Sequence, residues 1–169
     1  MGVSEFVVAL KGMRHITLDT AGCIYFLQGD SRRFPPVRKL LEMAAQSTLQ
    51  VELPGIVHLE LLVRPYRSGD MREMAMIRGL THEQPGVSTV DISEQVLLAA
   101  AGIRAITNLK TPDALVAASA TVSGSDAIVG NDRRFDVLNA LDGVELLTAG
   151  RKRLPVPKYL HLDDFADTN

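Results

Sequence analysis

Four acidic residues, far apart in the sequence, carry the side chains best suited to chemistry: Asp19, Glu60, Asp113 and Asp132. Carboxylates gathered in one place repel one another unless cations bind them or some stay protonated. Their hard oxygen atoms suit Mg²⁺ or Mn²⁺ and not zinc. Paired magnesium ions about 4 Å apart are the usual machinery of phosphoryl displacement, in which one activates water and the other stabilises the leaving oxygen. The set therefore predicts a divalent-metal centre, provided that the fold brings these residues together.

Each acidic residue also has a simpler structural explanation. Asp19 suits the N-cap of the helix that follows it, and Asp113 suits a first helical turn, where the macrodipole favours a carboxylate. Glu60 lies in the apolar helical segment IVHLELLV and could face solvent. Asp132 fits a turn. The metal centre thus depends on the joint placement of the four side chains.

Short apolar runs alternate with helical segments and predict the elements that position these acids. The predicted strands cover residues 15–18, 49–53, 87–92, 127–130 and 144–147. Such alternation predicts an α/β fold, a Rossmann-like three-layer sandwich with a central, mostly parallel sheet. Ligands of such sheets bind beyond the carboxyl ends of the strands. Asp19 and Asp132 each follow a predicted strand, so both should project from the same edge.

Two segments are less regular. The first 14 residues contain the apolar run FVVAL, which fits either an extra edge strand or a flexible extension, and the sequence leaves both open. We therefore treat residues 1–14 as an N-terminal extension and residues 15–169 as a single domain. The helix that begins at Ile56 is predicted to close at Pro65, because proline interrupts helical hydrogen bonding. The tail after Leu147 is predicted to be extended.

Composition narrows the class of protein. Of 169 residues, 46% are hydrophobic and 22% charged, which is typical of a globular domain. No apolar run approaches the roughly 20 residues that span a bilayer. The single Cys23 cannot form an internal disulfide, so it is predicted to be a core residue and the protein cytoplasmic.

The net charge of −2 does not favour diffuse binding to a polyanion. Any nucleic-acid binding must come from metal ions or from local clusters such as Arg133-Arg134, although solvated surface charge is the simpler explanation of one cluster alone. Other chemistries lack their motifs: the sequence has no phosphate-binding GxxxxGK[ST] loop, no GxGxxG turn and no nucleophile elbow. The histidines are too scattered for a zinc site: His15, His58, His82 and His161.

Four stretches in order, LDTAGCIYFL, HLELLVRP, LKTPDALVAASA and IVGNDRRF, resemble the four acidic motifs of the PIN-domain nucleases, especially the VapC-like toxins of toxin–antitoxin pairs. The tail PKYLHLDDF resembles the C-terminal strand of that family, so the likeness covers about residues 15–165. The resemblance implies a PIN-domain fold and endonucleolytic cleavage of RNA with Mg²⁺ or Mn²⁺. It also implies a homodimer inhibited by a cognate antitoxin.

Carried over by position, Asp19 and Asp113 would be the central metal ligands, Glu60 would complete the first site, and Asp132 would bind directly or through water. Three further residues are predicted to support the site: Thr20, which matches a hydroxyl beside the first acid, Asn131, and Asp136, which could assist or replace Asp132. Arg133 and Arg134 are predicted to reach the scissile phosphate. The family often has Ser or Thr where this chain has Gly130, which puts one metal or water contact in doubt.

The resemblance therefore predicts a metal-dependent endoribonuclease, a hydrolase of phosphodiester bonds. The glycine at position 130 favours a different class, a catalytically weak PIN-like module that binds RNA or protein. A third candidate is a phosphatase with an aspartyl nucleophile, but Asp19-Thr20 lacks the second acid two residues later that such enzymes usually have.

Overall fold

The computed structural model describes residues 2–141, 145–147 and 153–166. The strands are β1 His15–Leu18, β2 Gln50–Pro54, β3 Val87–Val90, β4 Ala127–Gly130, β5 Glu145–Leu147, β6 Arg153–Pro155 and β7 Lys158–His161. The α-helices are α1 Val3–Ala9, α2 Thr20–Gln28, α3 Phe34–Ala45, α4 Gly55–Ser68, α5 Met71–Arg78, α6 Glu94–Thr107, α7 Thr111–Ser123 and α8 Asp136–Asn139. One π-helical turn covers Gly79–Glu83, and 3-10 turns cover Arg133–Phe135 and Leu162–Phe165. None of the described helices is both long and apolar enough to cross a membrane.

Five strands form one parallel sheet in the order β3-β2-β1-β4-β7. In the central pair, Leu18 of β1 lies opposite Val129 of β4, and the backbone N–H of Asp19 donates to the carbonyl of Val129 at 2.9 Å. The segments that follow β1 and β4 therefore leave the sheet side by side at its carboxyl edge, as predicted for Asp19 and Asp132. The predicted α/β fold with a central parallel sheet is confirmed.

Helix α7 is nearly buried, and this burial sets the position of Asp113. Nine consecutive residues from Asp113 to Thr121 are buried, and most of the apolar ones are alanine, whose small side chains let the helix approach its neighbours closely. It packs against α6 and against strands of the sheet. A helix that is apolar on all sides belongs inside a protein, so its first turn is fixed relative to the sheet. Cys23, predicted as a core residue, is fully buried on α2.

The end of one predicted helix and the sheet position of one predicted strand were wrong. Helix α4 continues through Pro65 to Ser68. The proline removes only one helical hydrogen bond, and the helix ends instead at Gly69, which adopts the left-handed conformation (φ 70°). Strand β5 pairs antiparallel with β6 in a separate two-stranded sheet, whereas the last strand of the main sheet is β7, from the tail. Val144, where the prediction began that strand, lies outside the described residues.

The N-terminal segment is a helix, α1, so neither an edge strand nor a flexible extension describes it. Phe6 and Leu10 stand four residues apart, on one helical face, and both belong to the main hydrophobic core. The ring of Phe6 lies 5.1 Å from that of Phe165 between centroids. The apolar run therefore packs by helical spacing on the C-terminal 3-10 turn and on α3.

We expect Phe6→Ala to lower the free energy of unfolding by about 3–5 kcal/mol, the usual cost of removing a fully buried phenyl ring. Urea denaturation would measure the change. Val8→Ala is the matched control, because Val8 is 70% exposed on the same helix. Equal stability of the two variants would contradict a core role for α1.

Candidate metal centre

Asp19 joins β1 to α2 at the carboxyl edge of the sheet. It is the N-cap of α2, and its Oδ1 accepts a hydrogen bond from the backbone N–H of Thr20 at 2.7 Å. Only 7% of the residue is exposed. The N-cap role is therefore confirmed, and it is compatible with a metal site, because the cap uses one carboxylate oxygen and leaves the other directed towards Gly130.

Glu60 approaches Asp19 from α4. The hydroxyl of Thr20 donates to Oε2 of Glu60 at 2.5 Å, and Glu60 is half-buried. The glutamate thus does not simply project into solvent from an apolar helix. Thr20, predicted as a supporting residue, holds the second acid beside the first.

Asp113 lies in the first turn of α7 and is 8% exposed. Its Oδ2 lies 2.9 Å from Nη1 of Arg134, but the angles do not make a hydrogen bond, so this buried oxygen accepts none. The ion pair with Arg134 is therefore what compensates this buried oxygen, and a bound divalent cation would do the same.

Asp132 caps the short 3-10 turn that follows β4. Its Oδ1 accepts from the backbone N–H of Arg134 at 2.9 Å, and both oxygens accept from the guanidinium, with Nε at 3.0 Å and 2.9 Å. Since Arg134 also pairs with Asp113, one guanidinium connects the third and fourth acids. Asp132 therefore has the turn role that the sequence suggested and also belongs to the acidic cluster.

The four carboxylates are close enough to shift one another's ionisation. The pKa of Asp19 is raised to about 7, with burial as the largest cause; the charges of Glu60, Asp132 and Asp113 also raise it, and the hydrogen bond from the Thr20 backbone opposes the rise. Burial also raises the pKa of Asp113, which Arg134 partly opposes. The hydrogen bonds from Arg134 lower the pKa of Asp132. The structure therefore gathers all four predicted acids at one edge of the sheet.

The residues present fit a divalent cation. Every candidate donor is a hard carboxylate oxygen, and one of them, Oδ2 of Asp113, is buried without a hydrogen bond. Among the described residues, no three acidic, histidine or cysteine side chains already stand in a single coordination sphere. Arg134 lies between Asp113 and Asp132, so its guanidinium must withdraw for both to ligate one ion.

Other predicted residues lie outside this cluster. Asn131 donates through its side-chain amide to the hydroxyl of Tyr25 at 3.2 Å and to Asp163 at 2.9 Å, so it anchors the loop that carries Asp132. Asp136 contacts Nε2 of His161, and the structure does not bring it to the acids, because α8 directs it towards β7. Arg133 has no described contact with the four carboxylates.

Tyr159 of β7 is a site residue that the sequence did not identify. It is 3% exposed, and its hydroxyl accepts from the backbone N–H of Asp132 at 2.9 Å and donates to Oδ2 of Asp19 at 3.5 Å. Burial and the charge of Asp19 raise the pKa of the phenol well above its usual range. Gly130 indicates only that a side chain is missing beside the first acid; it does not indicate which group fills the space.

The sequence matches the family model of the PIN domain over residues 16–141. The chain therefore belongs to the PIN domain family, whose matched region contains all four acids. No curated protein sequence matches the chain significantly.

Several solved structures have a similar fold. DNA-bound VapBC of Salmonella typhimurium aligns over 89% of this chain and 99% of that chain, with 19% identity and a TM-score of 0.60. VapBC2 of Rickettsia felis, bound to a DNA fragment from the promoter, covers 73% and 92%, with 17% identity and a TM-score of 0.59. VapC20 of Mycobacterium tuberculosis, a Sarcin-Ricin loop cleaving toxin, covers 72% and 93%, with 14% identity and a TM-score of 0.57. At such identities the likeness shows a shared fold.

We expect Asp19→Asn to stabilise the metal-free protein at pH 8. The pKa of Asp19 lies above its unfolded value of 3.8, so the favourable contribution of the protonated form is complete below pH 4 and is lost as the pH rises through about 7. A shift of this size corresponds to roughly 4 kcal/mol. Asparagine removes the charge and remains a good N-cap.

Urea denaturation in the presence of chelator, at intervals from pH 4 to pH 8, would measure the difference between Asp19→Asn and the wild type. The difference should be small at pH 4 and grow with pH. Asp91→Asn, at an exposed position, should show no such trend. A difference that does not depend on pH would contradict the buried, raised pKa.

Proposed function

We propose that this protein is a Mg²⁺- or Mn²⁺-dependent endoribonuclease, a hydrolase of phosphodiester bonds that acts as the toxin of a toxin–antitoxin pair. The observation that carries the proposal is the meeting of Asp19, Glu60, Asp113 and Asp132 at the carboxyl edge of the sheet in a PIN domain. The Sarcin-Ricin loop cleavage named for VapC20 supports RNA as the substrate class.

In this proposal the chain's own residues hold and orient the reacting groups. Asp19 and Asp113 are the central ligands, Glu60 completes the first site with Thr20 fixing its carboxylate, and Asp132 binds directly or through water. Bound divalent ions supply an activated water and stabilise the leaving oxygen. In the absence of bound ions, burial and mutual repulsion disfavour the ionised forms of the four acids.

Arg134 is the residue best placed to meet the scissile phosphate. Its guanidinium already pairs with two carboxylates, and a cation that takes these carboxylates leaves the guanidinium beside the metal centre. A planar guanidinium binds phosphate well. Since the net charge of the chain is −2, such local cations and metal ions provide the attraction for RNA.

An antitoxin partner, a homodimer and a cytoplasmic location belong to the same proposal. The similar structures from Salmonella and Rickettsia are VapBC complexes, which supports a protein partner. A dimer is supported by exposed apolar side chains on α6: Leu97, Leu98 and Ile106. Apolar surface of this kind is a frequent feature of protein interfaces.

The alternative of a catalytically weak binding module loses its main support. That alternative depended on the hydroxyl missing at Gly130, and the hydroxyl of Tyr159 occupies the adjacent space. The phosphatase alternative requires a nucleophilic Asp19 that is free to attack. Asp19 instead caps a helix and contacts Tyr159, which agrees better with a metal ligand.

We expect Asp113→Asn to abolish metal-dependent cleavage of a mixed RNA pool. Loss of a direct ligand should reduce the rate by more than about 100-fold, since even outer-shell partners of metal ligands contribute about 10–100-fold. Gel analysis of RNA and DNA pools with Mn²⁺, with Mg²⁺ and with chelator would measure the activity. Glu42→Gln, at an exposed ion pair on α3, is the control that should retain it. Cleavage that survives either Asp113→Asn or the chelator would refute the proposal.

We expect Arg134→Ala to raise KM for RNA about tenfold. It should also reduce the slope of log binding affinity against log salt concentration by about one, as expected when one phosphate contact is lost. Arg133→Ala is the matched control and should change both quantities less. Steady-state kinetics and binding titrations at several salt concentrations would measure these effects. If Arg134→Ala instead leaves KM unchanged and only tightens Mn²⁺ binding, the guanidinium merely neutralises the acids and does not contact substrate.

A further inference from the structure

Gly130 ends β4 at a point where no larger residue fits. A Cβ atom there would lie 2.3 Å from the hydroxyl oxygen of Tyr159 and 2.8 Å from both Cβ and Oδ2 of Asp19. These distances are shorter than real Cβ contacts allow. The space beside the first acid is therefore filled by a hydroxyl that comes from a neighbouring strand, and the glycine makes this possible.

The phenol ring of Tyr159 is held from several sides. It stacks on Phe135 with centroids 4.7 Å apart and an interplanar angle of 3°, and it packs edge-on against His161. The side chain of Asn139 accepts from the backbone N–H of Tyr159 at 2.8 Å and donates to its carbonyl at 3.1 Å. A side chain this confined places its hydroxyl with little freedom.

One oxygen atom thus connects two of the acids. The Tyr159 hydroxyl accepts the backbone N–H of Asp132 and directs its own proton to Oδ2 of Asp19. Oδ1 of Asp19 is meanwhile occupied by the N–H of Thr20. Oδ1 of Asp19 therefore has a close donor at 2.7 Å and Oδ2 a longer contact at 3.5 Å, one on each side of the carboxylate.

We propose that Tyr159 is a positioning residue for the metal centre, whose hydroxyl sets the orientation of the Asp19 carboxylate and the position of the Asp132 backbone through the gap left by Gly130. The inference rests on the proposed nuclease function, because it assumes that Asp19 is a metal ligand. Residues that orient metal ligands through hydrogen bonds usually change metal affinity or activity about 10–100-fold when they are replaced.

The test measures the binding of Mn²⁺ to the metal-free protein by titration calorimetry. Tyr159→Phe removes only the hydroxyl and should raise the Mn²⁺ dissociation constant about 10–100-fold. Tyr66→Phe, on the exposed surface of α4, is the isosteric control and should bind as the wild type does. Val37→Ala, in the core on α3, is the stability control: it should lower Tm and leave Mn²⁺ affinity unchanged. Wild-type affinity in Tyr159→Phe would overturn the inference.

A thermal-unfolding cycle without metal tests the contact itself. Tyr159→Phe should lower Tm in the wild-type background and by a smaller amount in the Asp19→Ala background, because the acceptor of the hydroxyl is then absent while the bond from the Asp132 N–H is lost in both. Equal shifts in both backgrounds would also overturn the inference. If the wild type binds no Mn²⁺, the proposed function fails, while the cycle still decides whether the hydroxyl holds Asp19. If the wild type binds Mn²⁺ and cleaves RNA but Tyr159→Phe matches it, only the positioning role fails.

Discussion

The buried charge of Asp19 is the constraint on which the rest of the site depends. A carboxylate that is 7% exposed at the edge of a parallel sheet, with three other acids within electrostatic reach, is unfavourable unless its charge is compensated. The fold keeps it there by using the same residue as the N-cap of α2. Hydrogen bonds to the carboxylates of the cluster come from Thr20, Arg134 and Tyr159. The local cost is the kind that proteins retain at functional sites.

The rigid elements explain why the cluster persists against this repulsion. Strands β1 and β4 pair directly, so the residues that follow them leave the sheet side by side. Helix α7 is buried along most of its length and has no freedom to turn Asp113 away. Glu60 on α4 is half-buried and is held beside Asp19 by the hydroxyl of Thr20. The positions of Asp19 and Asp113 thus follow from the sheet edge and from the buried helix α7, whereas that of Glu60 also depends on a side-chain hydrogen bond.

The sequence predicted the placement of the acids better than their contacts. The alternation of strands and helices and the strand-end positions of Asp19 and Asp132 depend on local patterns, so the sheet and its functional edge could be predicted. For Arg134 the sequence left open contact with a scissile phosphate or solvated surface charge, and it did not predict the pairing with Asp113 and Asp132, which depends on a turn conformation. Tyr159 could not be predicted, because its position requires β7 to join the sheet beside β4 and not elsewhere. The helix α1 was missed because a short apolar run fits several structures equally well.

The order of the strands along the chain has a consequence for synthesis. The acids are all present by residue 132, but β7 follows β4 by nearly thirty positions, from Gly130 to Lys158, and the hydroxyl that orients the first acid arrives with it. A nascent chain that ends before β7 therefore carries all four acids without the tyrosine hydroxyl that contacts Asp19 and Asp132, so the complete set of contacts at this edge can form only after β7 has been synthesised.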